Sequence, residues 1–478
     1  MRMPNSEEIS EEQKKIYQHA PTDGTVLIMG PPGTGKTVIA FLRADSLSKS
    51  SKAAVMMFNR VLSEFTKNVP KEKFDNTDHI SVSTHHTWTK EFYNKLKNEL
   101  EPMPTGSKKI FLPSTPFDEK DIVKNLMRGK ARDSGWDSYN GSWYVWENIY
   151  EENKELLEPW HKPRLKKQKT PMVEKEEGED KFVPFDWDAI WDDCNDAKGD
   201  PKIQKNLHWG HLIIDEGQDL AKEFYKTLDK IRGIIFHESA EELKPAITVF
   251  ADENQSLFSN NSTIEEISKN LSIDEERTFT LTENYRNTLE IAKLAAYFYT
   301  GLGNKPDEPI DNQGDTPILL IEKTLDHHIA YIVRHCKRQE NEEIGIIVNN
   351  DNDRKKIYEK LKKEFESKDI NMQLQTYSFK DKKATKPQDL KFDVKGIGVF
   401  NKESCKGLEF DTVFLPELQN FKIDDKGTTD FKMNMYVMCS RARSNLYLMI
   451  SNEGEVDPSV CEYLPMEESE EIMEVQRK

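Results

Sequence analysis

An apolar run, Thr25-Val-Leu-Ile-Met29, leads into the octet Gly30-Pro-Pro-Gly-Thr-Gly-Lys-Thr37, which opens directly onto the helical pattern Val38-Ile-Ala-Phe-Leu42. No other segment restricts the fold as tightly. A glycine-rich turn between a buried strand and a helix is the architecture of a phosphate-binding loop, and it requires a parallel α/β sheet around it. The glycines let backbone N–H groups turn inward around a phosphate chain, Lys36 reaches the terminal phosphates, and the Thr37 hydroxyl is offered to Mg²⁺. The nucleotide-binding residues expected here are Gly30, Pro31, Pro32, Gly33, Thr34, Gly35, Lys36 and Thr37, with ATP and Mg²⁺ as the cofactors.

The rest of the chain supplies the sheet. Short apolar runs recur at Ala53-Ala-Val-Met-Met-Phe58, Ile80-Ser-Val82, His211-Leu-Ile-Ile214, Ile247-Thr-Val-Phe250, Pro317-Ile-Leu-Leu-Ile321, Ile344-Gly-Ile-Ile-Val348, Ile397-Gly-Val-Phe400, Val413-Phe-Leu415 and Leu446-Tyr-Leu-Met-Ile450. Several are separated by helical patterns, as in parallel sheets covered on both faces. The stretch 92–207 breaks this rhythm. It holds Trp136, Trp143, Trp146, Trp160, Trp187 and Trp191, and a charged loop over 162–180 in which a basic run precedes an acidic one. We read it as an inserted helical subdomain whose charged middle is either a solvated loop or a basic, aromatic surface for strand phosphates and bases.

Charge and composition set the class. A formal net charge of −17 disfavours bulk attraction to nucleic acid but leaves a local basic channel open. The 5 cysteines are scattered without zinc spacing, so reduced thiols are expected. No run reaches the roughly 18 apolar residues of a membrane span, and the first residues carry no targeting pattern. A cytoplasmic protein without a membrane partner is the expectation.

A second strand completes the chemistry. Leu212-Ile-Ile-Asp-Glu216 delivers two carboxylates from the end of an apolar run. One suits the Mg²⁺ shell and the other suits accepting a proton from an attacking water. Asp215 is the expected metal ligand beside Thr37, and Glu216 the general base. After the next strand, Ala251-Asp-Glu-Asn-Gln255 presents Gln255, a neutral group able to hydrogen-bond both a γ-phosphate and its water.

Further blocks follow in order: Leu281-Thr-Glu-Asn-Tyr-Arg286, Cys405-Lys-Gly-Leu-Glu-Phe-Asp411 and Tyr436-Val-Met-Cys-Ser-Arg-Ala-Arg443. Together with the octet and Asp215-Glu-Gly-Gln-Asp219 they resemble the motifs of UvrD/Rep-type superfamily 1 helicases, in sequence order and at both ends of the chain. The resemblance implies two RecA-like domains facing each other across one ATP. It implies an adenine-reading role for Gln13, adenine stacking for Tyr285, a γ-phosphate contact for Arg286, a ribose-side carboxylate at Glu409 and an arginine finger at Arg441. Lys36, Glu216, Gln255, Arg286 and Arg441 form the implied catalytic set. Asn59, Arg60, Thr84 and His86 match the positions of family contacts to single-stranded DNA, and 3′→5′ translocation is implied with them.

The expected domains are 1–91 and 208–282 for the first RecA-like domain, 92–207 for the insertion, 283–455 for the second RecA-like domain and 456–478 for a solvated acidic tail. The chain departs from the family at Ala251, where glycine is usual, and at Asn401 and Glu403, where a threonine and a histidine are usual. Only about 50 residues lie between Val348 and Phe400, too few for a full second accessory domain. No fused nuclease or iron–sulfur cysteine set is visible. The expected function is therefore a single-stranded DNA translocase or helicase, acting on single strands or tailed duplexes. The alternatives are an ATP-operated regulatory subunit of a nuclease complex in repair or phage defence, and an RNA helicase.

Overall fold

The computed structural model describes residues 9–58, 63, 66, 79–100, 109–116, 118–127, 135–137, 142–161, 170–172, 185–197, 200–237, 239–252, 254, 262–301, 309, 312–378, 381, 384–386, 389–391, 395–421, 423, 428–466 and 472–477. The chain divides into two compact units. One comprises Met1–His85, Trp209–Asp229 and Ser239–Lys478, the other His86–His208 and Lys230–Glu238.

The strands, in chain order, begin with β1 (Thr25–Met29), β2 (Ala53–Met57), β3 (Ile80–Thr84), β4 (Lys109–Leu112), β5 (Trp136–Asp137), β6 (Ser142–Trp146), β7 (His211–Asp215), β8 (Ala246–Ala251) and β9 (Thr278–Thr280). In the first unit, six of them form a sheet in the order β3-β2-β7-β8-β1-β9, with every pairing parallel. β2, β7 and β8 are buried along their whole length, as strands covered on both faces must be. Val26, Ile28, Ile39, Phe41, Val55, Ile213 and Phe250 share one core on this sheet. Each large aliphatic side chain so buried contributes about 1.5–3 kcal/mol.

The second sheet of this unit contains β10 (Ile318–Glu322), β11 (Glu343–Val348), β12 (Gln373–Tyr377), β13 (Gly396–Asn401), β14 (Phe410–Leu415), β15 (Ala442–Ser451) and β16 (Glu474–Arg477). Its order is β12-β13-β11-β14-β15-β10-β16, again entirely parallel. Separate apolar clusters, one around Phe400, Leu415 and Tyr436 and one around Ile332, Ile346 and Phe414, pack against it. Between β11 and β13 the described residues form one helix, Asp351–Ser367, and β12.

With β12 set aside, the second sheet repeats the strand order of the first. The repetition extends to hydrogen bonds. Glu216 at φ 55° precedes a short turn, Gly217–Asp219, and Glu417 at φ 63° precedes its counterpart, Leu418–Asn420. Gln218 Oε1 accepts the Asp252 N–H at 3.0 Å, and Gln419 Oε1 accepts the Ser451 N–H at 3.0 Å. In each sheet a glutamine in that turn ties one strand's end to its neighbour's.

In the second unit β4, β6 and β5 form an antiparallel sheet in that order. The helices expected of the insertion are thus joined by a small sheet. Ser142-Trp-Tyr-Val-Trp146 is a β-branched and aromatic run that fits a pleated surface. Tyr144, Val145, Leu157 and Trp160 make its core, and Asp193 joins Tyr93 and Lys97 at 2.6 and 3.0 Å. Lys230 Nζ sits 3.4 Å from the centre of the Trp191 ring. Of the charged loop 162–180, all but 170–172 lies outside the described residues.

The acidic tail is corrected. Residues 474–477 pair with β10, Ile318 opposite Glu474 and Ile321 opposite Arg477. Met473 is fully buried, and Arg477 holds Asp457 at 2.6 and 2.7 Å. The apolar residues Ile472, Met473 and Val475, set among the acidic ones, are what dock this segment.

Candidate functional site

Parallel pairing sets the carboxyl ends of the first sheet level with one another. Met29 lies opposite Ala251 and Thr280, and Met57 opposite Asp215 and Thr84. The octet, Glu216–Asp219, Asp252 and Leu281–Arg286 therefore all leave the sheet at one edge, the position where open α/β sheets bind ligands.

The octet is held by backbone geometry and by its neighbours. Gly33 and Gly35 have φ of +87° and +83°. A Cβ on Gly33 would stand 2.2 Å from Asn284 Oδ1, and one on Gly35 2.4 Å from Gln13 Nε2. The Tyr285 N–H donates to the Gly33 carbonyl at 3.0 Å. Gln13 donates to the Thr34 carbonyl at 2.8 Å while its Oε1 accepts the Ser10 N–H, so a helix cap and the loop share one amide. Glu12 accepts the N–H groups of Thr282 and Glu283. Lys36, 7% exposed, folds back onto the Gly30 and Pro31 carbonyls at 2.5 and 3.1 Å. Thr34 Oγ1 also donates to Pro31 O, and Pro32 is buried beside it. Burial lowers the Lys36 pKa, opposed by Asp252, Glu216 and Asp215.

Thr37 and Asp215 meet, the hydroxyl donating to Oδ2 at 2.7 Å. Burial first, and then Glu216, raises the Asp215 pKa. The Glu216 carboxyl is equally buried, yet Lys406, Lys36 and Arg441 outweigh that burial and hold it below the usual range. Gln218 donates to Glu216 Oε2 at 2.7 Å. Glu216 is thus an ionised, oriented carboxylate at neutral pH, the state a proton acceptor needs.

Residues preceding the strands of the second sheet close the other side. Lys406 Nζ lies 2.5 Å from Asp219 and 3.7 Å from Glu216. Arg286 donates to Glu409 Oε2 at 3.0 Å and to the Ser440 carbonyl at 3.4 Å. Arg441, 1% exposed, donates to Val437 O, Leu408 O and Ser440 Oγ. Burial, followed by Arg286, lowers its pKa to about 10. Asn287 reaches the carbonyls of Ser440 and Ala442. Tyr285 is 46% exposed, an open aromatic face beside the loop.

The structure thus gathers Gln13, the octet, Asp215, Glu216, Tyr285, Arg286, Glu409 and Arg441 around one edge. Gln255, Asn59 and Arg60 lie outside the described residues. Thr84 closes β3. His86 belongs to the second unit, its ring 5.2 Å from Phe185, and burial, with Lys90 second, lowers its pKa. Positive φ among described non-glycine residues falls at Glu216, Ser272, Asp369 and Glu417, so the methyl of Ala251 is accommodated in an ordinary strand. Asn401 bonds Asp351 and the Ser404 N–H and serves its own turn. Lys406, Gln218, Asn284 and Glu12 carry the site without having been singled out. Lys406, Gln218 and Asn284 stand inside the sequence motifs, whereas Glu12 shows its role only through the Thr282 and Glu283 groups that it accepts.

A family described as Schlafen group 3, DNA/RNA helicase domain, matches residues 23–438. Among curated proteins, RecBCD enzyme subunit RecB of Chlamydia pneumoniae is 38% identical over 61 residues, which is 13% of this chain and 6% of that protein. Among solved structures, the C-terminal domain of a possible DNA helicase from Lactobacillus plantarum WCFS1 matches at 18% identity and a TM-score of 0.27, covering 40% of this chain and 97% of that one. No helix among the described residues is long and apolar enough to cross a membrane.

Proposed function

Because the chain belongs to the Schlafen group 3 DNA/RNA helicase domain family, and so to the nucleic-acid helicases, we propose that it is an ATP- and Mg²⁺-dependent motor of the UvrD/Rep type that moves along single-stranded DNA in the 3′→5′ direction. The observation that carries this reading is the convergence of Lys36, Lys406 and Arg441 on the buried, ionised Glu216, beside the Thr37–Asp215 contact.

The donor set fits Mg²⁺. A hydroxyl and a carboxylate meet at the loop, and the raised Asp215 pKa marks a buried carboxylate that a cation would stabilise. Thr37 and Asp215 would hold the ion, which when bound supplies neutralisation of phosphate charge. The backbone N–H groups of Gly33 to Lys36 cradle the phosphates, and no side chain at Gly33 or Gly35 fits in that space. Lys36 exchanges two carbonyls for phosphate oxygens. Glu216 accepts the proton of the attacking water, with Gln218 fixing its orientation. Arg286, on the segment after β9, and Arg441, just before β15, add positive charge where the transferred phosphoryl group gains negative charge. Since Lys406 and Arg441 belong to the second sheet's side and Glu216 to the first's, the charge state at the phosphates is transmitted between the two RecA-like domains.

Steady-state ATP hydrolysis without nucleic acid, with single-stranded DNA and with single-stranded RNA tests the reading, with Glu216→Gln as the blank. Stimulation by DNA supports it; turnover unchanged by either nucleic acid removes the motor. The family description names both DNA and RNA, so stimulation by RNA alone would make the chain an RNA motor. A second reading, an ATP-operated subunit of a nuclease complex, is favoured by the 61-residue likeness to a RecBCD subunit. It predicts that a nuclease co-purifies from the native host and that purified chain alone unwinds tailed duplexes poorly.

A further inference from the structure

Glu409 is shared by two guanidinium groups. Arg286 Nε lies 3.0 Å from its Oε2, and Arg443 NH1 lies 3.5 Å from its Oε1. The two arginines differ in what else they hold. Arg443 is anchored away from the loop, its NH2 2.7 Å from Asp411 and also bonded to Glu343. Asp411 in turn accepts the Glu343 N–H at 2.8 Å and faces Lys395 at 3.4 Å. The Arg286 guanidinium also donates to Ser440 O, and Arg286 follows Tyr285, whose N–H is bonded to the octet. Glu409 and Arg286 side chains are each 15% exposed.

A polyphosphate at the octet competes with Glu409 for Arg286. A mostly buried carboxylate that lost its sole cation would oppose that exchange. Here a second cation is already in place on the other oxygen, and it is fixed by carboxylates of β11 and β14 that the phosphate does not touch. We propose that Arg443 is a positioning residue that keeps Glu409 ion-paired while Arg286 transfers from Glu409 to the nucleotide phosphates, so that nucleotide affinity depends on Arg443 through Glu409. This rests on the nucleotide reading above. Arg443 acts on the nucleotide through the carboxylate it shares with Arg286.

The experiment is a double-mutant cycle read as ATP affinity by fluorescence titration of the full chain. Arg443→Gln weakens ATP binding about tenfold, within the range of single-pair couplings. Glu409→Gln frees Arg286, and in that background Arg443→Gln has no further effect. Unchanged affinity in Arg443→Gln overturns the proposal, as does equal weakening in both backgrounds, which is what a merely structural role predicts. Asp411→Asn leaves Arg443 bonded to Glu343 and beside Glu409, so ATP affinity falls by less than in Arg443→Gln; a loss as large as that of Arg443→Gln also overturns it. Should Arg443→Gln not fold, the same cycle with Arg443→Lys retains a cation that cannot fork between Glu409 and Asp411. A loss of about fivefold that vanishes with Glu409→Gln is then expected, and affinity equal to wild type overturns the relay. A wild-type chain that binds no ATP fails at an earlier point, and removes the nucleotide reading itself.

Discussion

Lys406 and Asp219 are 187 residues apart in sequence and 2.5 Å apart in space, with both side chains wholly shielded from solvent. Glu216 lies 3.7 Å from the same ammonium group. One lysine from the second sheet's side thus compensates two carboxylates of the first. A buried pair is worth little against an apolar replacement of both partners but costs much when one is removed.

Lys406→Met is therefore expected to destabilise the chain by about 3–5 kcal/mol. Lys406→Met with Asp219→Asn should recover much of that loss. Urea unfolding measures both, and a single variant as stable as wild type would show that the bridge carries no net energy.

Gly35→Ala forces φ of +83° on a residue with a Cβ, and that Cβ meets Gln13 Nε2 at 2.4 Å. The left-handed conformation alone costs about 1–2 kcal/mol, and the collision disturbs the loop further. ATP binding is expected to be lost. Adding Gln13→Ala removes the collision and leaves the backbone strain, so thermal stability should recover in part. No recovery would mean that the collision contributes nothing.

The sheet was legible because parallel strands buried on both faces are continuous apolar runs, and every run named from the sequence became part of a strand. β9, β12 and β16 escaped because Thr278–Thr280 is three residues long and Gln373–Tyr377 and Glu474–Arg477 are mostly polar; each is recruited by the strand beside it. The duplicated strand order was hidden for a related reason. What the two sheets share is the placement of Glu216 with Gln218 and of Glu417 with Gln419, a geometric likeness spread over unlike sequences. Asp215 and Glu216 could be read as a pair because adjacency in sequence places both at one strand end. The Lys406–Asp219 bridge could not, since nothing in local sequence specifies which segment a lysine 187 residues away will face.

His211 supplies a pH signature. Thr248 Oγ1 accepts from Arg43 Nε at 3.0 Å and lies 2.7 Å from His211 Nε2, so the ring is enclosed beside a buried guanidinium. Burial, with Arg43 second, pushes its pKa down to about 3 from the ordinary 6.5. The unfolded chain binds the proton more tightly, so this contribution to stability is complete above about pH 6.5 and is lost as pH falls toward 3. At pH 5 the loss is about 2 kcal/mol. His211→Gln should flatten the melting temperature between pH 7 and 5; an unchanged slope would assign it to other groups.

Met473→Ala tests the docking of β16. The side chain is fully buried, and its truncation should cost about 2–5 kcal/mol in chemical unfolding. An effect near zero would mean that this segment leaves the sheet in solution.

The central claim is that buried Glu216 and the surrounding cations hydrolyse ATP in response to a nucleic-acid strand. Steady-state ATP turnover of wild type and Glu216→Gln, each with and without single-stranded DNA, tests it most directly. Strong stimulation of wild type by DNA, with Glu216→Gln reduced to background, is the result the account predicts. Turnover that persists in Glu216→Gln, or that ignores the strand, would contradict it.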